Sequence, residues 1–204
     1  MLLGSLQSSR AADVLEAMEP DDAADLLGDL PPVKAAELLE LMEPEDAKQV
    51  RQLLTYEDDS TGGLMTTEPV IVGPEATVAQ CLASVRRQEL PPALASMVFV
   101  VRPPLETPTG RFIGLVHIQR LLREPPHESV GNFVDTAIEP LSPDDDLSYV
   151  ARHMAAYDIL ALPVVDADHH LLGAISIDDV LDHLLPKDWR EHLEDEEPQE
   201  VSRG

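Results

Sequence analysis

The residues best able to do chemistry in this 204-residue chain are carboxylates, and they fall in a few tight groups. Asp178, Asp179 and Asp182 sit three and four apart, a spacing that places them on one helical face. Glu57, Asp58 and Asp59 are consecutive, just ahead of a Gly62–Gly63 pair. Hard divalent cations such as Mg²⁺ take oxygen ligands and keep several waters, so one or two carboxylates per ion suffice. Asp178, Asp182 and Glu57, Asp58 and Asp59 are therefore the candidate metal residues. The alternative is a solvated acidic face. A second grouping, Gly173-x-x-Ser176-x-x-Asp179, can serve a nucleotide. A carboxylate at a helix start accepts both ribose hydroxyls, and a serine hydroxyl with a helix N-terminus meets phosphate. Its alternative is simple capping of the last helix by Ser176 and Asp179.

Other chemistries lack their residues. The seven histidines, His117, His127, His153, His169, His170, His183 and His192, show no His-x-x-x-His pattern, and the single cysteine leaves no zinc cluster. No nucleophile elbow, P-loop or dinucleotide fingerprint is present, so the chain is expected not to be an enzyme. Cys81 stands beside Val78 and Leu82 in a helical pattern and reads as a core residue of a protein from a reduced compartment.

The formal charge is −25, unevenly spread. Residues 1–60 hold 15 acids and 4 bases, residues 61–130 hold 6 of each, and residues 131–204 hold 18 acids and 4 bases. Two acidic regions flank a neutral one. Such a chain repels nucleic acid and anionic membrane and attracts cations. The longest mainly apolar runs, Ala93–Val101 and Ile159–Val165, are far short of the roughly 20 residues a membrane helix needs. No membrane insertion and no signal peptide are expected, and the location expected is cytoplasmic.

The elements that must position these acids follow from two repeats. The first has a period of twelve, with units opening at Leu6, Met18, Leu30 and Met42. In the second unit Pro20 suits a first helical turn, Asp21 and Asp22 favour the positive end of the helix dipole, and Ala23, Leu26 and Leu27 form an apolar stripe. Helices this short bury their stripes only by stacking into a superhelix. The second repeat is a β-α-β-β-α unit of about sixty residues, present twice. Pro74 corresponds to Pro143, Val98–Val101 to Pro163–Asp166, and Gly114 to Gly173. The fold class expected is α+β: a right-handed-type superhelix of short helices, then two such units about a pseudo-twofold. The domains predicted are 1–55 (helical repeat), 56–130 (first unit), 131–186 (second unit) and 187–204 (an acidic tail expected to be disordered).

Residues 161–181, ALPVVDADHHLLGAISIDDVL, resemble a cystathionine-β-synthase (CBS) domain. The first copy carries MVFVV from Met97 and GLVHIQRLL from Gly114 at the same places. A helical repeat running into GGLMTTE from Gly62, ahead of two CBS units, resembles the cytosolic part of MgtE magnesium channels, over residues 6–186. The resemblance implies a homodimer through the CBS pairs and Mg²⁺ held between acidic surfaces. It also implies closure of a membrane pore domain at high Mg²⁺ and, in some members, ATP in a CBS cleft. The expected role is a Mg²⁺-sensing regulatory module; the alternatives are an adenine-nucleotide sensor and a helical-repeat interaction scaffold. In the first CBS unit the ribose acid is replaced by Arg120, so a nucleotide would bind once per chain. The repeat is shorter than usual for the family and no membrane part is present, which favours a soluble relative or a piece of a longer chain.

Overall fold

A computed structural model describes residues 8–57, 60–88 and 90–186. The acidic tail predicted at 187–204 and the candidates Asp58 and Asp59 lie outside the described residues. The twelve-residue period becomes four helices beginning twelve residues apart: α1 (Ser8–Glu16), α2 (Pro20–Gly28), α3 (Pro32–Leu41) and α4 (Pro44–Leu53). Proline opens α2, α3 and α4, where its missing N–H leaves no hydrogen bond unmade. Each helix is too short to stand alone. Packing of α1 on α3 and α2 on α4 buries Leu15, Leu27, Leu38 and Leu53 almost completely.

The first CBS unit contains β1 (Ile71–Val72), α5 (Val78–Ser84), α6 (Pro92–Ala95), β2 (Met97–Val101), β3 (Phe112–His117) and α7 (Ile118–Leu121). The second contains α8 (Leu147–Tyr157), β4 (Ala161–Val165), β5 (Leu171–Ser176) and α9 (Ile177–Leu184). Strand β2 pairs parallel to β1 and antiparallel to β3; β4 pairs antiparallel to β5. The counterpart of β1 in the second unit is a single parallel bridge, Leu141 to Val164. Both hairpins slip register at the same place, Val100/Val101 and Val164/Val165, as expected of two copies of one unit. Short helix α6 was not foreseen: it takes the start of the apolar run at Ala93, behind Pro91 and Pro92, and packs on β2 and β5.

Strand β2 is buried on both faces, which explains its unbroken apolar sequence. Met97, Phe99 and Val101 face a core that runs without interruption from the superhelix into the second CBS unit. Val98 and Val100 face a smaller core with Val78 and Cys81, so the cysteine is a core residue as expected. The two CBS units clasp each other through the segments that precede them. Thr66 exchanges backbone hydrogen bonds with Ala174 at 2.9 and 3.0 Å, and Asp135 does so with Leu115 at 2.8 and 3.0 Å. A Cβ on Gly173 would lie 2.2 Å from the Thr66 carbonyl oxygen, and one on Gly114 2.2 Å from that of Asp135. These two glycines hold equivalent places because only hydrogen fits beneath the crossing strand.

Candidate cation site between the helical domain and the CBS pair

Helix α9 begins at Ser176, the N-cap, whose hydroxyl accepts from the Asp179 backbone N–H and donates to the Asp179 carboxylate. The cap fixes the first turn, so Asp178 and Asp179 project from the positive end of the helix. Helix α2 likewise places Asp21 and Asp22 in its first turn, after Glu19 at the N-cap. The fold sets these two acidic helix starts against each other. Glu19, Asp21 and Asp22 face Asp178, Asp179 and Asp182 across a cleft of about 210 Å³, with Pro91 and Leu94 of the first CBS unit closing one side.

Asp21 is the most constrained of the six. It is only 7% exposed, and its Oδ1 has no hydrogen-bond partner among the described residues. Burial, then the facing Asp179, push its carboxyl up to about 8. Asp179 is raised by burial, with Ser176 opposing and Asp178 and Asp22 adding. Glu19 is raised by burial first, then by Asp179, Asp22 and Asp178. Among the described residues no Lys or Arg lines this cleft. The fold therefore concentrates negative charge where water cannot fully screen it, and a proton or a cation relieves the strain.

Among the described residues, no group of three or more His, Cys, Asp or Glu is close enough to hold a metal ion directly. A tight protein cage is thus not what this cleft offers. An orphaned carboxylate oxygen in a small acidic cleft suits a hard divalent ion that keeps part of its water shell, and the donor set fits Mg²⁺ in that manner.

Of the residues singled out from sequence, Asp178 and Asp182 line this cleft, and Ser176 and Asp179 line it with them. Gly173 is not part of the cleft lining; it packs under the Thr66 carbonyl oxygen. Glu57 is exposed and its carbonyl accepts the Ser60 N–H; it does not join the cleft. Sequence reasoning missed Glu19, Asp21 and Asp22 as the opposing wall. Asp21 and Asp22 were visible only as dipole-favoured helix starts.

Comparison with known proteins gives this geometry its context. The MgtE intracellular N domain matches residues 1–59, and the CBS domain matches residues 61–127 and 130–186. The chain belongs to the CBS-domain family, with an MgtE N domain in front. The magnesium transporter MgtE of Thermus thermophilus is 35% identical over 136 residues, which is 67% of this chain and 29% of that protein. The Bacillus subtilis MgtE is 28% identical over 185 residues, 91% of this chain and 40% of that protein. The chain thus spans well under half the length of these curated relatives. A crystal structure of the soluble part of a magnesium transporter has a TM-score of 0.79 at 30% identity, covering 89% of this chain and 69% of that one. The cytosolic domain of the Mg²⁺ channel MgtE in complex with ATP has a TM-score of 0.63 at 31% identity, covering 90% and 82%. The expected α+β arrangement, an MgtE N domain followed by a CBS pair, is borne out. Among the described residues no helix is long and apolar enough to cross a membrane.

Proposed function

We propose that this MgtE-type module is a Mg²⁺-responsive regulatory element of a magnesium transporter and not an enzyme, acting at the cytosolic face of the membrane. The observation that carries the proposal is Asp21: a buried carboxylate with an unpartnered oxygen, held against Asp179 of another domain. Docking α2 on α9 crowds acids together, and without a cation the buried Asp21 meets this by holding a proton that the ion would displace. Hydrated Mg²⁺ between Glu19, Asp21 and Asp22 on one side and Asp178, Asp179 and Asp182 on the other offsets that repulsion and favours the docked state; without the ion the domains part. A ligand with different affinity for the two states is what a sensor requires, and a membrane pore domain would read the change. Glu57, Asp58 and Asp59 stay in the proposal as a second cation-responsive group at the joint. A homodimer through the CBS helices is part of it too: Tyr149, Tyr157, Leu160, Leu181 and Leu184 leave apolar surface on α8 and α9 and the loop after α8.

The test is thermal unfolding against Mg²⁺ from zero to tens of millimolar, with ionic strength held constant by monovalent salt. Binding to the folded state alone raises the midpoint with ligand concentration. The expected result is a rise well beyond the salt-matched control; equal effects of Mg²⁺ and monovalent salt would sink the proposal.

A second reading, an adenine nucleotide sensor, draws support from the ATP complex of the similar cytosolic domain. Ser176 and Asp179 bond to each other and face Glu19, Asp21 and Asp22 at the start of α2, so a polyanion at Gly173, Ser176 and Asp179 would enter only with the helical domain lifted away. On that reading ATP and the docked state exclude each other, and ATP would lower the Mg²⁺-induced rise in midpoint.

A further inference from the structure

The walls of the acidic cleft between α2 and α9 bear on the form in which it takes a cation. Among the described residues six carboxylates line it, Glu19, Asp21 and Asp22 on one side and Asp178, Asp179 and Asp182 on the other. They are spread around the cleft and do not converge on a point: among the described residues no three His, Cys, Asp or Glu stand close enough together to hold a metal ion. Direct ligation of Mg²⁺ asks for the opposite, oxygens about 2.1 Å from the ion in near-ideal octahedral geometry.

Volume points the same way. The cleft encloses about 210 Å³. A water takes up about 30 Å³ in the liquid, so an octahedral ion with its complete water shell fills roughly 180 Å³.

Hydrogen-bonding chemistry gives a third indication. Ionised carboxylates only accept. The Ser176 hydroxyl already donates to Asp179, and Pro91 and Leu94 add no side-chain donor. Asp21 is the most buried of the six acids, and its Oδ1 finds no donor among the described residues. This lining lacks O–H or N–H donors turned outward from a positive centre. The waters around a divalent ion are such donors, and the metal makes them more acidic than bulk water.

We propose, resting on the Mg²⁺ reading above, that the cleft binds Mg²⁺ through its complete water shell, each protein contact being a hydrogen bond from a metal-bound water to a carboxylate, with Asp21 Oδ1 the most buried acceptor. Such a site reads the charge and size of the hydrated ion and makes no bond to the metal. It accepts any compact octahedral cation that carries donors on its outside. It also loads and unloads without stripping water, which Mg²⁺ gives up reluctantly, and this suits a weak and reversible sensor.

The experiment compares Mg²⁺ with hexaamminecobalt(III), an octahedral cation of similar size whose ammonia ligands do not exchange and cannot be replaced by a carboxylate. Thermal unfolding of the chain is followed by circular dichroism at constant ionic strength. The wild type is set beside Asp21→Asn and beside Asp13→Asn, which alters an exposed acid of α1 outside the cleft. Far-ultraviolet spectra before heating report whether the variants fold; Asp178→Asn, at an exposed acid of the cleft, gives the same comparison if Asp21→Asn does not. The expected result is a saturable rise in midpoint with either cation in the wild type and in Asp13→Asn, at lower concentration for the trivalent complex. In the cleft variant both cations should bind roughly tenfold more weakly. A response to Mg²⁺ with none to the cobalt complex means that carboxylates bind the metal directly; it overturns the water-shell site and leaves the sensor reading standing. A cobalt response that the cleft variant leaves unchanged, while the Mg²⁺ response falls, has the same consequence. No Mg²⁺ response beyond the salt-matched control overturns both.

Discussion

Replacing Asp21 with Asn should stabilise the protein in the absence of Mg²⁺. The carboxyl of Asp21 is pushed from 3.8 to about 8 in the folded chain, by burial and by Asp179. At pH 7 the folded state must therefore hold a proton on a group that the unfolded chain ionises freely. The cost is 2.303RT for each pH unit above 3.8, on the order of 4 kcal/mol as a ceiling. The sign follows from proton uptake: the folded state binds more protons between pH 3.8 and about 8, so stability falls as pH rises through that window and levels off above it. Asn keeps the size and removes the charge. In EDTA at pH 7 the midpoint should rise by roughly 10 °C, taking 2–4 °C per kcal/mol for a chain of this length. The variant should also lose much of the fall in stability between pH 5 and 8, and its Mg²⁺-induced rise should shrink. The assay is thermal unfolding by circular dichroism at several pH values, with and without Mg²⁺. A lower midpoint in EDTA, or an undiminished Mg²⁺ response, would show that Asp21 is not the strained acid of the docked state.

Other outcomes follow from the same geometry. Asp179→Asn should reduce the Mg²⁺ response as well, and combining it with Asp21→Asn should give less than the sum of the two, since each removes the other's repulsion; a double-mutant cycle in thermal unfolding measures this. Gly173→Ala should destabilise by about 3 kcal/mol or fail to fold, because its Cβ would stand 2.2 Å from the Thr66 carbonyl oxygen, and denaturant unfolding reads the loss. Leu27→Ala, at a side chain 1% exposed, should cost roughly 2–5 kcal/mol through the cavity it leaves in the superhelix, again by denaturant midpoint.

Much of the fold was legible because its signals are local and repeated. Proline at positions 20, 32 and 44, each ahead of an apolar stripe, marks three helix starts, and the structure begins α2, α3 and α4 at those residues. The buried strands β2 and β4 announce themselves as continuous apolar runs. Helix α6 escaped because its four residues continue the apolar run of β2, and periodicity cannot divide so short a stretch. The opposing wall of the acidic cleft escaped for a different reason. Within the twelve-residue repeat, the position of Asp21 is held by Ser9 in α1, Val33 in α3 and Glu45 in α4, all exposed, with Val33 at 84%. The repeat therefore reads that position as facing solvent.

Only in α2 does the position become buried, and the cause lies more than 150 residues away in sequence, at the start of α9. This contrast bears on what the charge is for. An acid placed for solubility gains from staying in water, as Glu45 does, and an acid placed for the helix dipole needs only to be near the N-terminus, as Asp22 is. Asp21 already has the helix dipole, yet burial and Asp179 outweigh it and raise its carboxyl to about 8. Docking α2 against α9 thus works against its own electrostatics, while the shared apolar core from Leu27 to Val180 works for it. On the proposed reading, a weakly held ion tips the balance between these two opposed contributions. Deep burial without a counter-ion would lock the domains or prevent their meeting; on the proposed reading a small acidic cleft instead leaves the balance responsive to cation concentration, which is the property a sensor needs.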